Sequence, residues 1–239
     1  MKKIIFISIL LCQQLLASEK QNLKLIKSVT VKIPEPSALS FSMDQESLLT
    51  VSDQNGMAYS LSLEGAVLTQ HQTSGSDLEG IVTHDDLKGF CTVSERIREI
   101  QCYDQKWKLL KSKKIPFPGS SNAGFEGLSY NPLNRHFYIV NEKSPTSIIE
   151  INDELEIVKT HQFNHSKDLS DIYFDSIEQK FWIVSHESNM IFQTDLSFNI
   201  QNKYSIPEVV QAEGIAADSI NKKIYIISDK DSKFFIFGY

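Results

Sequence analysis

Basic charge, helical periodicity, long apolar runs and familiar catalytic motifs are all scarce in this 239-residue chain. Its 24 lysines and arginines stand against 30 aspartates and glutamates, a formal net charge of −6. A nucleic-acid binder would show a basic excess or stripe, so none is expected as a partner. No apolar run approaches the roughly 20 residues of a membrane-spanning helix. Apolar residues do not recur at a 3.6-residue period beyond the first segment, so helices should be few. There is no Gly-x-Ser-x-Gly elbow, no His-Glu-x-x-His and no phosphate-cradling Gly-Lys-Ser/Thr loop. The six histidines (His71, His84, His136, His161, His165 and His186) do not cluster in sequence. What remains, 41% hydrophobic and 23% charged, is the composition of an ordinary globular domain.

The first residues read as a leader. Met1-Lys2-Lys3 is a short positive start, Ile4 to Leu11 is apolar but for Ser8, and Leu15-Leu16-Ala17 precedes Ser18. This is the layout of a signal peptide over residues 1–17, with a single domain over 18–239. Leu11 before Cys12 disfavours lipidation, which needs a small residue there. Cleavage would leave Cys91 and Cys102, flanking the turn Glu95-Arg96-Ile97-Arg98. An exported compartment permits a disulfide between them, and two small buried thiols fit equally well.

A repeat fills the rest. One motif recurs as Glu35-Pro36-Ser37-Ala38-Leu39, Asp77-Leu78-Glu79-Gly80-Ile81, Gly124-Phe125-Glu126-Gly127-Leu128, Asp168-Leu169-Ser170-Asp171-Ile172 and Gln211-Ala212-Glu213-Gly214-Ile215. A second motif, an apolar run closing on a polar pair, ends at Asp53, Glu95, Glu142, His186 and Asp229. The two are 16 residues apart in all five copies, from Ser37 to Asp53 through Glu213 to Asp229. Each copy reads as four short strands in about 44 residues, the pattern of a propeller blade. The fold class is therefore all-β: a five-bladed β-propeller of four-stranded antiparallel blades. The last copy has only three strands, and Leu25–Ile33 is the candidate fourth, closing the ring from the N-terminus.

In an antiparallel pair the start of one strand lies beside the end of its partner. Both motifs should thus meet at one channel mouth. The inner ring would be Glu35, Glu79, Glu126, Asp168 and Glu213; the second ring would be Asp53, Glu95, Glu142, His186 (or Glu187) and Asp229. Converging carboxylates repel unless neutralised, and a hard divalent cation with oxygen ligands does this. Calcium, which tolerates about 6–8 oxygens in irregular geometry, suits the inner ring best. The alternative is acids that pair with backbone N–H groups and nearby bases, sealing strand ends. Arg96, Lys143 and Lys230 follow second-ring acids and could help hold a small anionic ligand. His186 reads as a rim hydrogen-bonder.

These motifs, in this order, resemble the SdiA-regulated family of bacterial envelope proteins over nearly the whole mature chain. The resemblance implies a five-bladed propeller distantly similar to NHL-repeat proteins, located in the periplasm or cell envelope. It also implies an axial calcium site, with Glu79, Glu126 and Glu213 matching best. Asp171 departs from the usual Gly and His186 from the usual acid, which sets the fourth blade apart. Three functions compete. One is a non-enzymatic, monomeric calcium propeller binding a small anionic ligand or a protein on its channel face. Another is a calcium-dependent hydrolase of a lactone, ester or phosphate ester, with Glu95 or Glu142 as base. The third is a structural propeller without metal.

Overall fold

Short runs of β-branched and aromatic residues, punctuated by side-chain-capped turns, make this chain a succession of hairpins. The structure, a computed structural model, describes residues 20–119 and 123–239; the expected signal peptide lies outside them. Among the described residues there is no helix, and hence none long and apolar enough to cross a membrane.

Two strands come first, β1 (Lys20–Asn22) and β2 (Lys24–Thr30). Blade one is β3 (Pro36–Phe41), β4 (Ser47–Ser52), β5 (Met57–Ser62) and β6 (Val67–Gln72). Blade two is β7 (Leu78–His84), β8 (Gly89–Ser94), β9 (Glu99–Asp104) and β10 (Leu109–Lys114). Blade three is β11 (Phe125–Asn131), β12 (His136–Asn141), β13 (Ser147–Ile151) and β14 (Ile157–Gln162). Blade four is β15 (Asp171–Asp175), β16 (Lys180–Ser185), β17 (Met190–Thr194) and β18 (Ile200–Ser205). Blade five starts with β19 (Ala212–Asp218), β20 (Lys223–Ser228) and β21 (Lys233–Gly238). Each blade is an antiparallel meander, and the first strands pack on one another in ring order, β3 on β7, β7 on β11, β11 on β15, β15 on β19 and β19 on β3.

The five-bladed propeller expected from the repeat is the observed fold. Its fifth blade is completed by β2, which runs antiparallel to β21 with Ser28 opposite Phe235. The expected strand reached Ile33; the observed one stops at Thr30, and Val31 and Ile33 instead bury their side chains between blades five and one. One element was not anticipated: β1 adds a parallel fifth strand to the outer edge of blade four, beside β18.

Turn chemistry repeats with the blades. In blades three, four and five the first hairpin is capped by Asn131, Asp175 and Asp218, whose Oδ1 atoms accept the amides of Leu133, Ile177 and Ile220 at 2.9, 2.9 and 3.1 Å. Arg135, Gln179 and Lys222 then close each turn in the left-handed region, at φ of 61°, 52° and 52°. Five apolar clusters fill the interfaces, one between each pair of neighbouring blades. Cys91 and Cys102 face each other across β8 and β9 and form a buried disulfide, with Cα atoms 4.0 Å apart. This decides between the two readings of the cysteines.

Closure by β2 covers the apolar edge that carries Phe234 and Phe237, both fully buried. A chain that begins at Val31, and so lacks β2, should lose its cooperative melt and aggregate, since about 5–15 kcal/mol of folding free energy cannot absorb an open blade. Scanning calorimetry that found an unchanged melting temperature would show that the ring closes without β2.

Candidate functional site

The constant 16-residue spacing has a backbone cause. The amides of Asp53, Glu95, Glu142 and Asp229 donate to the carbonyls of Glu35, Asp77, Gly124 and Gln211, at 3.0, 3.0, 2.9 and 3.1 Å. Each bond ties the residue just past a blade's second strand to the residue just before its first. A β-bulge follows in the same four blades, at Ser37/Ser40, Leu78/Gly80, Phe125/Leu128 and Ala212/Gly214. Bulges re-aim side chains, and here they bring the central motif residue to the channel mouth. Glu95 is held further, its Oε1 accepting the Gly124 amide at 3.2 Å. Only glycine permits that approach, because a Cβ at residue 124 would lie 2.6 Å from the Glu95 carbonyl oxygen.

The result is a cavity of about 240 Å³ at the mouth. Glu35, Glu79, Glu126 and Glu213 of the inner ring line it, and so do Asp53, Glu95, Glu142, His186 and Asp229 of the second ring. Eight carboxyl groups and one imidazole therefore share one small space, with no lysine or arginine on its wall. Ser37, Ser170 and Gln211 complete the lining. The sequence contained that signal, since Ser37 and Ser170 hold the central motif position in blades one and four. Ser37 hydrogen-bonds Glu79 and Ser170 hydrogen-bonds Glu213, each serving the next blade's acid. The Gln211 amide donates to Asp229 at 2.7 Å.

The tightest carboxylate group mixes the two rings. One oxygen each from Glu95, Glu126 and Glu142 lies within 4.8 Å of the others. Glu79, Glu213 and Glu35 line the same cavity outside that triad. Two of the three rim bases are engaged by acids: Lys143 Nζ lies 2.8 Å from Glu142 and 2.9 Å from Glu187, and Arg96 Nε 3.3 Å from Asp77 and 3.7 Å from Glu95.

Blade four departs from the pattern, and Asp168 with it. Its first strand has no bulge and begins only at Asp171. The Asp168 side chain replaces the missing backbone tie by accepting the Ser185 hydroxyl and the Glu187 amide. Asp168 is fully buried behind His186 rather than on the cavity wall. His186 Nδ1 lies 2.9 Å from Asp168, 3.2 Å from the Ser170 hydroxyl and 3.4 Å from Glu213. Burial alone would raise the Asp168 carboxyl, but hydrogen bonds from His186, Ser185 and the Glu187 amide hold it below the usual range. The Asp168 hydrogen bond in turn raises His186.

Asp171, the residue in place of the repeat's glycine, is an axial pin. It is fully buried, and its Oδ2 accepts the amides of Leu39 at 3.0 Å and Ile215 at 2.9 Å, from blades one and five. Its Oδ1 has no partner, and a Cβ on Gly127 would fall 2.5 Å from that atom. Burial holds the Asp171 carboxyl well above the carboxylate range.

The mouth resists its own ionisation. Burial, then the neighbouring acids, pushes Glu126 far above its ordinary value; burial does the same to Glu79 against the Ser37 hydrogen bond. Glu213 is pushed up to about 7, chiefly by burial. Burial and like charges also raise Glu95, Asp53 and Asp229. A bound divalent cation inverts this logic by favouring the ionised forms. The donor set is hard oxygen with a single imidazole and no thiol, which fits Ca²⁺ or Mg²⁺ and not a zinc site.

The SdiA-regulated family matches residues 16–238. The chain belongs to the SdiA-regulated family. Solved structures share its architecture. A protein of unknown function from Bacteroides caccae superposes with a TM-score of 0.59 at 12% identity, covering 81% of this chain and 70% of that one. A streptogramin B lyase superposes with a TM-score of 0.55 at 14% identity, covering 89% of this chain and 72% of that one. Likeness at these identities is a likeness of fold.

The raised carboxyls set a pH dependence. A carboxyl whose folded value is raised stabilises below its unfolded value near 4.5, and that stability is lost as pH rises through the folded value. For Glu213, from 4.5 to about 7, the loss is on the order of 3 kcal/mol. Metal-free protein should therefore melt at lower temperature at pH 7.5 than at pH 5, and Glu213→Gln should flatten that slope. Melting temperatures that rise over the same interval would contradict the assignment.

Proposed function

We propose that this protein is an exported, calcium-binding propeller of the bacterial cell envelope. Its acidic mouth holds the cation and, through it, a small anionic ligand or a protein partner on the channel face. The carrying observation is the oxygen triad of Glu95, Glu126 and Glu142 inside a cavity with eight carboxyls and no lysine or arginine on its wall. Such a cavity repels an anion on its own, so recognition of an anionic group needs the metal as intermediary. Of the residues expected at the inner ring, Glu126 belongs to this triad, and Glu79 and Glu213 stand close enough to shape its field. The buried Cys91–Cys102 disulfide suits an oxidising compartment, in keeping with the leader-like start of the chain. The protein acts as a monomeric binding module without turnover.

One observation favours a second reading, a calcium-dependent hydrolase of a lactone, ester or phosphate ester. The Asp168–His186 pair places an oriented imidazole on the cavity wall. Bound metal would supply Lewis acidity, and His186 would hold a proton at Nδ1 against Asp168 while its ring faces the substrate space.

Thermal melting in EDTA and then in millimolar Ca²⁺ or Mg²⁺ tests the proposal. Calcium at about 100 times its dissociation constant should add about 2.7 kcal/mol, or roughly 5–10 °C for a domain of this size. Glu126→Ala should fold and lose the shift. Identical melting with and without calcium, in protein shown by metal analysis to start empty, would overturn it. Turnover of a model ester or lactone that vanishes in His186→Ala would replace the first reading by the second.

A further inference from the structure

A second cavity, of about 350 Å³, shares no lining residue with the acidic mouth and lies between blades one and two. Its walls include Leu49, Ser60 and His71 of blade one and Phe90 and Trp107 of blade two. The repeat explains why it is open, because the interface between blades three and four is its closed counterpart. There Phe198, in the turn from β17 to β18 at φ 63°, packs on Phe181 at 4.9 Å and against His161 at 4.7 Å and Tyr138 at 6.0 Å. Here Trp107, in the turn from β9 to β10 at the same φ, stacks on Phe90 at 4.5 Å and on His71 at 5.1 Å.

The equivalences follow from register. His161 lies opposite Ile148, and His71 opposite Ala58. Tyr138 lies opposite Glu150, and Leu49 opposite Ser60. Thus a phenol and a carboxylate fill the blade three–four interface, where Glu150 accepts the Tyr138 hydroxyl at 3.1 Å and meets His161 at 3.0 Å. Blade one has only an isobutyl and a hydroxymethyl group in those places, and the His71 ring has no hydrogen-bond partner among the described residues. The apolar cluster at this interface is correspondingly thin, with Ala38 and Ala58 among its six buried members.

We propose that this cleft binds a small neutral aromatic molecule carrying a hydroxyl group, of the phenol class. The ring takes the space that Tyr138 occupies two blades on, against Leu49 and the Phe90–Trp107 stack. The hydroxyl meets His71 and the Ser60–Thr69 pair, whose oxygens are 2.6 Å apart. Neutrality follows from the wall, which carries Asp44 and no lysine or arginine. This site is independent of the calcium reading.

The test is titration of 4-methylphenol into the intact protein, followed by NMR of the Leu49 methyls, the Trp107 indole and the His71 ring. Saturable shifts confined to these groups, with a dissociation constant below about 1 mM, are expected. Benzoate should bind at least about tenfold more weakly, because a carboxylate would be desolvated beside Asp44 without a counter-charge. Leu49→Tyr should fill the cleft, keep or raise the melting temperature and abolish the shifts; Leu49→Phe serves if the tyrosine variant misfolds. Absence of saturable shifts, shifts that survive in both filled variants, or tighter binding of benzoate would each overturn the proposal.

Discussion

The backbone bond that ties the second-motif amide to the carbonyl opening the first motif governs what the channel mouth can be. It fixes the start of one strand against the end of the next, so any acid at either position must face its fellows across the axis. Four blades make this bond at 2.9–3.1 Å, and a bulge beside it sends the central residue inward. Five blades in a ring then concentrate more acids than local ion pairs neutralise, because Arg96 and Lys143, held off the cavity wall, reach only Glu95 and Glu142 among the eight carboxyls that line it. The electrostatic cost is a consequence of topology, and a hard cation is the simplest group that offsets it. The fourth blade shows what happens without the tie. A side chain, Asp168, takes over the capping, an imidazole replaces the acid, and Asp171 pins the axis through two neighbouring blades.

Much of this is legible in the sequence, and for a physical reason. A backbone constraint leaves a fixed spacing, and the interval of 16 residues in five copies is its record. The blade count, the N-terminal closing strand and nine of the ten expected mouth residues follow from it. What could not be read depends on side-chain conformation or on pairing without pattern. That Glu126 approaches Glu95 and Glu142 more closely than Glu79 or Glu213 is set by rotamers and by the Gly124 contact. The retreat of Asp168 behind His186 follows from a missing bulge, which no spacing reveals. Strand β1 is three residues long and joins an exposed edge, so it carries no periodic signal. The hairpin pattern places Cys91 and Cys102 opposite each other in the sequence, and only the structure joins them as a disulfide.

The same repeat that concentrates acids at the mouth varies its blade interfaces almost freely. Between blades four and five Trp182 is fully buried and stacks on Tyr204 at 5.7 Å. Between blades three and four a phenol, a carboxylate and two histidines form a bonded cluster, while the interface of blades one and two is left partly hollow. Hydrophobic burial tolerates such differences as long as volume is roughly filled, whereas the mouth does not, because charge and backbone ties are coupled there. Function at the mouth is therefore a property of the ring, and function at an interface a property of two blades.

The central claim is that a calcium ion completes the carboxylate mouth. The most direct measurement is crystallographic: crystals of the protein grown with calcium, with anomalous difference maps calculated from long-wavelength data. The account predicts one strong axial peak whose ligands include oxygens of Glu95, Glu126 and Glu142, at about 2.3–2.6 Å. A mouth that holds only ordered water at saturating calcium, or a peak confined to the outer surface, would contradict it.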